Sequence, residues 1–275
     1  MSLRDILVHV KLNEDWSNHI EIAAGLAKAH GARLTGLCTQ RDLAVLRSIM
    51  GSHAPTVRER EAADLAKITV LERKFRAMLA THGISGDWQT GEGSASELLT
   101  LAARFHDLIV VEQTDARTDE HGWDAAGQTV LSSGKPTLVI PHAHPVGNLG
   151  QRVCVAWNGD REAALAVQAA LPILMKAGAV TVLEGKGKEQ YSSITRLPPL
   201  DVIAYLARHG VTASREQLVA AEPNVGSAIL LNAAALKADL LVMGAYGRSR
   251  LREWVLGSTT GYVIDHLNVP VLMAH

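Results

Sequence analysis

The sequence predicts an α/β protein in which one five-stranded unit is built twice, each copy a parallel-type sheet flanked by helices. Three observations carry this: an internal repeat, short apolar runs alternating with helical patterns, and a composition able to fill a large core. The chain has 275 residues, 47% hydrophobic and 20% charged, which is globular rather than disordered. At roughly 150 residues per domain, that length suits two domains.

The repeat comes first. Asp5-Ile6-Leu7-Val8-His9-Val10 resembles Arg152-Val153-Cys154-Val155-Ala156-Trp157, and the same offset carries Gly31-Ala32 onto Gly178-Ala179. Further on, His82-Gly83-Ile84 is echoed by His209-Gly210-Val211, and Asp107-Leu108-Ile109-Val110-Val111 by Asp239-Leu240-Leu241-Val242-Met243. Lys135-Pro136-Thr137-Leu138-Val139-Ile140 is echoed by Val269-Pro270-Val271-Leu272-Met273. A repeat this long is a duplicated domain, not a solenoid unit. Domains over 1–144 and 151–275 follow, joined by a linker at His142–Gly150 that carries Pro145, Gly147, Asn148 and Gly150.

Taken in order, Ile6–Val10 has the length of a buried strand, as do Leu108–Val111, Val180–Leu183 and Leu240–Met243. Ile20, Ala23, Ala24 and Ala27 recur at helical spacing, and so do Ala163, Val167, Ala170, Leu171 and Leu174. Gly31 and Gly178 then stand where a helix C-terminal glycine belongs. Ser94 and Glu97 have capping-box spacing ahead of Leu98, Leu99 and Leu101. Each half reads β-α-β-(α)-β-α-β-α-β, which implies a parallel sheet covered by helices. In such sheets a ligand binds beyond the carboxyl ends of the strands, where strand order reverses.

Several function classes recede. A formal charge of -1 argues against nucleic-acid binding driven by bulk charge. Ala163–Met175 is interrupted by Gln168 and Pro172 and cannot span a bilayer, and Leu240–Met243 is too short. The N-terminal segment does not read as a signal peptide, so the expectation is a soluble, cytoplasmic chain. Cys38 and Cys154 make no disulfide framework and read as buried, inert thiols. No HExxH or CxxC pattern points to a protein-held metal. Gly185-Lys186-Gly187-Lys188 lacks the spacing of a phosphate-binding P-loop and reads as a loop near the site. Gly257-Ser258-Thr259-Thr260-Gly261 is not a nucleophile elbow.

The pattern that carries chemistry is Gly-x2-Gly-x9-Gly-Ser, formed by Gly244, Gly247, Gly257 and Ser258. Gly244 and Gly247 follow a strand directly, where they allow close backbone approach and positive φ. Gly257-Ser258-Thr259 opens a helix through Val263, Ile264 and Leu267, and its free N–H groups with the two hydroxyls suit phosphate oxygens. Read blandly, the same glycines only close strand–helix connections.

With these residues the chain resembles the universal stress protein family in tandem, two such domains covering nearly its whole length. The resemblance rests on Ala238-Asp239-Leu240-Leu241-Val242-Met243-Gly244-Ala245-Tyr246-Gly247, on Gly257-Ser258, and on Val269-Pro270-Val271-Leu272. It implies Rossmann-like five-stranded domains and, in one branch of the family, ATP binding by this glycine pattern. Carried onto this chain, Gly244, Gly247, Gly257, Ser258 and Thr259 match phosphate- and ribose-binding positions, and Met243 lines the nucleotide. The end of the first strand, Ala156-Trp157-Asn158, and Leu183 border ribose and adenine. Asn158 stands where the family usually has Asp. Arg248 lies where it reaches a phosphate or, with Arg250 and Arg252, forms a solvated basic stretch. Trp157 edges the pocket or, the favoured reading, packs under the helix.

The first half departs further. Glu112-Gln113-Thr114-Asp115 follows its strand in place of the glycines, and its acids would repel a phosphate. Lys11 stands where the nucleotide-binding Asp would be. Gly127 lies closer to Pro136 than Gly257 does to Pro270, which predicts a shortened last helix and a lost cradle. One adenine nucleotide per chain is therefore expected, ATP or else ADP or AMP, with Mg2+ as its accompanying ion. The function this implies is a stress-response regulatory or protective module, with at most slow hydrolysis because no general base is evident. Two alternatives stand beside it: a nucleotide-free module for protein partners, and an ATP-using small-molecule enzyme. The resemblance also implies that the halves pair through Thr137–Ile140 and Val271–Ala274 as a pseudo-dimer, and that two chains can dimerise.

Overall fold

The structure is a computed structural model, and residues 2–12, 16–40, 43–51, 54–113, 125–142, 144–185, 201–218, 224–247 and 259–275 are described. The N-terminal half runs β1 (Asp5–Lys11), α1 (Asn18–His30), β2 (Arg33–Gln40), α2 (Ala44–Met50), α3 (Pro55–His82), β3 (Gly86–Glu92), α4 (Ala95–Ala102), β4 (Leu108–Glu112), α5 (Ala125–Ser132) and β5 (Thr137–Ile140). The C-terminal half runs β6 (Arg152–Trp157), α6 (Arg161–Leu174), β7 (Ala179–Glu184), α7 (Val202–Arg208), β8 (Ala213–Gln217), α8 (Val225–Ala235), β9 (Leu240–Gly244), α9 (Thr259–Asp265) and β10 (Val271–Ala274).

All ten strands form one sheet in the order β3-β2-β1-β4-β5-β10-β9-β6-β7-β8. Neighbours are parallel except at the centre, where β5 and β10 pair antiparallel with Leu138 opposite Leu272. The expected pairing of the final strands is this seam. It joins what would otherwise be two exposed edges of buried apolar backbone. Strand order reverses twice, between β1 and β4 and between β6 and β9. Side chains alternate across the sheet into two cores. One, with Ile6, Val8, Val155 and Val242, lies under α1, α3, α6 and α7; the other, with Leu7, Ile109, Leu241 and Met273, lies under α4, α5, α8 and α9.

The repeated aspartates do the same work in both halves. Asp107 Oδ2 accepts the Arg4 and Asp5 N–H groups at 2.7 and 3.1 Å. Asp239 accepts those of Gly150, Gln151 and Arg152 at 2.9–3.2 Å. Each carboxylate fixes the start of its half's first strand. Asp239→Ala is expected to cost about 1–2 kcal/mol, since three charge-assisted bonds on a part-exposed group go at once. Urea denaturation checks this, and a loss within about 0.3 kcal/mol of zero contradicts it.

The two halves also touch outside the sheet. Gln113 Nε2 donates to the Ile264 and Asp265 carbonyls at 2.7 and 3.2 Å, closing the C-terminus of α9 from the other half. Lys176 Nζ donates to the Ala29 carbonyl.

Four local expectations are corrected. Gly31 is a left-handed C-cap at φ 62, but Gly178 is not, because α6 stops at Leu174 on the right-handed Met175. Ser94 is the N-cap of α4 by position, yet its hydroxyl pairs with Ser96 Oγ at 3.0 Å, so no capping box forms. Gly127 lies inside α5, not at its start, so α5 is no shorter than α9 over the described residues. Gly244 and Gly247 do not take positive φ; the left-handed residue of that loop is Tyr246, at φ 50.

Candidate functional site

The second reversal point places the end of β6 beside the end of β9. Ala156 is in register with Leu183 on one side and Met243 on the other. These three belong to the core on the α8–α9 side, and Leu183 and Met243 are buried in it. Trp157 packs into the opposite core, on the α6 side, so it lies across the sheet from the other three. Asn158, just past the strand, is exposed. Gly257, Ser258 and Arg248 lie outside the described residues, as do Arg250 and Arg252.

The loop after β9 is held close. A Cβ on Gly244 would sit 2.5 Å from Ala163 N and 2.6 Å from Glu162 C, so the first turn of α6 packs directly on this backbone. The buried Thr260 accepts the Tyr246 N–H at 3.1 Å, tying the loop to the first turn of α9. His275 Nδ1 lies 3.0 Å from the Ala245 carbonyl, with its ring edge-on to Tyr246. Gly226, in the first turn of α8, meets the Thr259 carbonyl at 3.0 Å from its missing Cβ. The starts of α6, α8 and α9 thus all face the carboxyl edge of the sheet. Their free N–H groups give that edge a positive bias. Thr259 is half-buried at the start of α9.

Two acids missed by motif reading stand here. Asp160 is the N-cap of α6, and Glu162 is buried in its first turn. Asp160 Oδ2 accepts from Asn158 Nδ2 at 2.8 Å while the Asp160 N–H donates to Asn158 Oδ1 at 3.0 Å. Asn158 therefore spends both ends of its amide on its neighbour.

The first reversal point is built on the same plan with different side chains. Glu112 ends β4 as Gly244 ends β9, Ser17 precedes α1 as Asp160 precedes α6, and His19 is the second helical residue as Glu162 is. Glu112 is buried, and its oxygens meet Lys11 Nζ at 3.1 Å, Ser17 Oγ at 2.7 Å and His142 Nδ1 at 3.4 Å. His19 joins Ser17 Oγ at 2.8 Å and the His9 carbonyl at 2.7 Å, and His9 Nε2 lies 2.8 Å from Thr39 Oγ1. Burial alone raises the Glu112 pKa. The Ser17 hydroxyl, the Lys11 ammonium and His19 outweigh burial and hold it at about 2. His9 is lowered to about 3, by burial first and then by His19 and Lys11. Here the protein fills the reversal point with its own ion pair. Asp115 lies outside the described residues.

Cys38 and Cys154 are buried in strands, and burial pushes both thiols up to about 12, far from the reactive thiolate. Among the described residues no helix is long and apolar enough to cross a membrane.

Fold and site together define a doubly wound α/β protein of two like halves joined by their last strands, with one reversal point filled and the other lined by glycines. Residues 150–275 match the model of the Universal stress protein family. A universal stress protein from Archaeoglobus fulgidus DSM 4304 has the same fold at a TM-score of 0.72 and 15% identity, over 98% of this chain and 97% of that one. A functionally unknown protein of Pseudomonas aeruginosa PAO1 aligns at 0.58 and 18% identity, over 99% and 92%. A universal stress protein of Synechocystis is 56% identical over 34 residues, and the match spans 12% of either chain. Universal stress proteins in complex with cAMP and with dAMP each cover 52% of this chain, at TM-scores of 0.37 and 0.35, too slight a likeness to argue from. The C-terminal half thus matches the universal stress protein family, and the whole chain shares the fold of a universal stress protein over nearly its full length.

Proposed function

We propose that the C-terminal half binds one adenine nucleotide, ATP or else ADP or AMP, and that the chain is a nucleotide-responsive module of the stress response. In this reading 1–144 and 151–275 act as two domains, the first a structural partner that binds no nucleotide. The observation that supports it is the contrast at the two reversal points. Glu112 and Lys11 occupy one; Gly244 and Gly247 remove side chains from the other.

Ribose and adenine lie along Ala156 and Asn158, above the buried Leu183 and Met243. Phosphates lie toward Gly247, Thr259 and the start of α9, where Gly257, Ser258 and Arg248 complete the cradle. Charge-assisted hydrogen bonds contribute about 1.5–3 kcal/mol each. A few of them, after the costs of association, support affinity near micromolar, about −8 kcal/mol. Hydrolysis is slow in this reading, because no motif of the sequence supplies a general base for water.

The test begins with whatever co-purifies with the full chain, released by denaturation and identified by mass, followed by calorimetric titration of ATP and AMP. One nucleotide per chain is expected, lost in Gly247→Val and kept in Glu112→Gln. Among the described residues a Cβ on Gly247 meets nothing closer than 3.6 Å, so the variant fills the site without crowding the described backbone. Binding unchanged by Gly247→Val, or no binding at millimolar nucleotide, overturns the reading. The N-terminal half, folded around its own ion pair, then favours the reading of a nucleotide-free module, and the chain would be studied through its protein partners.

A further inference from the structure

Gln113 and Ala245 hold the same place in the two halves. Each is the first residue past an inner strand, β4 or β9, and each donates its backbone N–H to the end of the seam strand beside it, the Ile140 carbonyl at 2.7 Å and the Ala274 carbonyl at 2.9 Å. Their side chains differ. Ala245 has no polar atom to offer across the seam, whereas Gln113 has an amide and uses both ends of it. Its Oε1 accepts the His142 N–H at 3.4 Å, which leaves Nε2 turned toward the other half. There Nε2 donates to the Ile264 carbonyl at 2.7 Å and to the Asp265 carbonyl at 3.2 Å, at the end of α9. The likeness of the halves is broken here in one direction. The N-terminal half reaches the last helix of the glycine-lined half, and the Ala245 side chain cannot return the contact.

The helix it reaches is short. The described part of α9 has seven residues, about 10 Å or under two turns. So short a helix is marginal by itself, because nucleation costs more than its few internal bonds return. The last four carbonyls of a helix also lack partners within it. In α9 the Tyr262 carbonyl takes the His266 N–H at 3.1 Å, and Gln113 takes the next two in line after Val263. At the other end the buried Thr260 accepts the Tyr246 N–H at 3.1 Å, and Tyr246 is the left-handed residue of the glycine loop. Thr260 and Ile264 stand one helical turn apart. The loop is thus tied to Thr260, Thr260 rides on α9, and the end of α9 is tied to Gln113. Val263 and Ile264 are buried against the sheet, but apolar contact is non-directional. It resists sliding along the helix axis less than two directed bonds at the helix end.

We propose that Gln113 is a positioning residue for the nucleotide site of the C-terminal half, so that this site is complete only with the N-terminal half docked against it. Gln113 touches no nucleotide. It fixes the end of α9, α9 carries Thr259 and Thr260, and Thr260 sets the loop that holds Gly244 and Gly247. The part that concerns nucleotide rests on the function proposed above; the part that concerns the loop rests on the hydrogen bonds alone.

The experiment compares the full wild-type chain with Gln113→Glu, Gln113→Leu and Gln113→Lys. The first keeps the size but sets an acceptor against two carbonyls. The second removes the donor without adding charge. The third keeps a donor and adds the positive charge that a helix C-terminus favours. Hydrogen exchange is read by mass on peptides covering Tyr246 and α9, with β6 as the internal reference, and ATP affinity is taken by calorimetry. In Gln113→Glu and Gln113→Leu, exchange at Tyr246 and α9 is expected to be about tenfold faster with β6 unchanged, and ATP to bind about tenfold more weakly. Gln113→Lys is expected to match wild type in both. A general loosening of the two halves would instead speed exchange in β6 as well.

Unchanged exchange at Tyr246 and α9 in both donor-less variants overturns the proposal. So does faster exchange with undiminished ATP affinity, because the site is then indifferent to where α9 ends. Faster exchange that Gln113→Lys restores, in a wild-type chain that binds no nucleotide, leaves Gln113 holding the glycine loop and removes the nucleotide reading. Should Gln113→Glu fail to fold, Gln113→Leu decides on the same readouts.

Discussion

Replacing Gly244 with alanine is expected to destabilise the C-terminal half by about 3 kcal/mol, the upper end of what one added methyl does in a packed interior. The reason is what the methyl would meet. Ala163 N and Glu162 C lie 2.5 and 2.6 Å from its position. Both are backbone atoms in the first turn of α6, so no side-chain rotation makes room. The turn must move, and with it Ala163, Ala166 and Val167, all buried against the sheet. Gly247→Ala is the control. Its nearest neighbours among the described residues are carboxylate oxygens at 3.6 and 3.7 Å, ordinary contact, and its cost should stay within about 0.5 kcal/mol, as for substitutions away from special features. Urea midpoints of the two variants settle the matter. Equal stability of Gly244→Ala and wild type would mean that α6 is not seated on this glycine.

This pair of glycines also illustrates what was legible in the sequence. Their spacing marked the loop at the end of β9, which lies beside a reversal of strand order. The reason assigned to them was half correct. Close approach is real at Gly244, but the approaching group is the protein's own helix, and positive φ falls on Tyr246 instead. A one-dimensional pattern registers that a side chain is absent, not what takes its space.

The inner strands β1, β4, β7 and β9 were legible as short apolar runs, and β6 through its likeness to β1. The outermost strands β3 and β8, Gly-Asp-Trp-Gln-Thr-Gly-Glu and Ala-Ser-Arg-Glu-Gln, carry mostly polar residues and left no such trace. They pair because β2 and β7 each present an open edge, a property of the assembled sheet. Glu162 was hidden for another reason. A glutamate in the first turn of a helix is the commonplace partner of the helix dipole on a surface. Its burial, beside the close approach of Gly244, is a property of the folded chain. The offset of the first strands would pair Glu162 with Asp15, whereas the helix starts pair it with His19. The filled reversal point was half legible. Glu112 stood out as an acid where the other half has a glycine, but the residues that stabilise it, Ser17, Lys11 and His142, come from three separate segments.

That cluster makes the N-terminal half acid-labile, and the effect should be large. His9 has a folded pKa of about 3 against an ordinary 6.5, because burial and the neighbouring His19 and Lys11 oppose its charge, while Glu112 works the other way. Above pH 6.5 both folded and unfolded chains carry it neutral, and its contribution is complete. As pH falls from 6.5 toward 3, the unfolded chain takes up a proton that the folded chain refuses, so stability drops throughout that window. At about 1.4 kcal/mol per pH unit of such a difference, moving from pH 6.5 to 4.5 removes about 2–3 kcal/mol through His9. His19, lowered in the same direction by burial, adds to the loss. Glu112 acts lower. Its folded pKa of about 2 lies below the ordinary 4.5, so its contribution persists to pH 4.5 and fades only as pH falls toward 2. His209 and His266 of the C-terminal half are exposed, and His275 is half-buried. Hydrogen exchange at pH 4.5 should therefore open β1 and β2 before β6 and β7. His9→Gln, which keeps a polar group for Thr39 but cannot charge, should lose about 2–3 kcal/mol less than wild type between pH 6.5 and 4.5. Equal losses in the two proteins would mean that this histidine accepts its proton in the folded state and that the cluster rearranges to accommodate it.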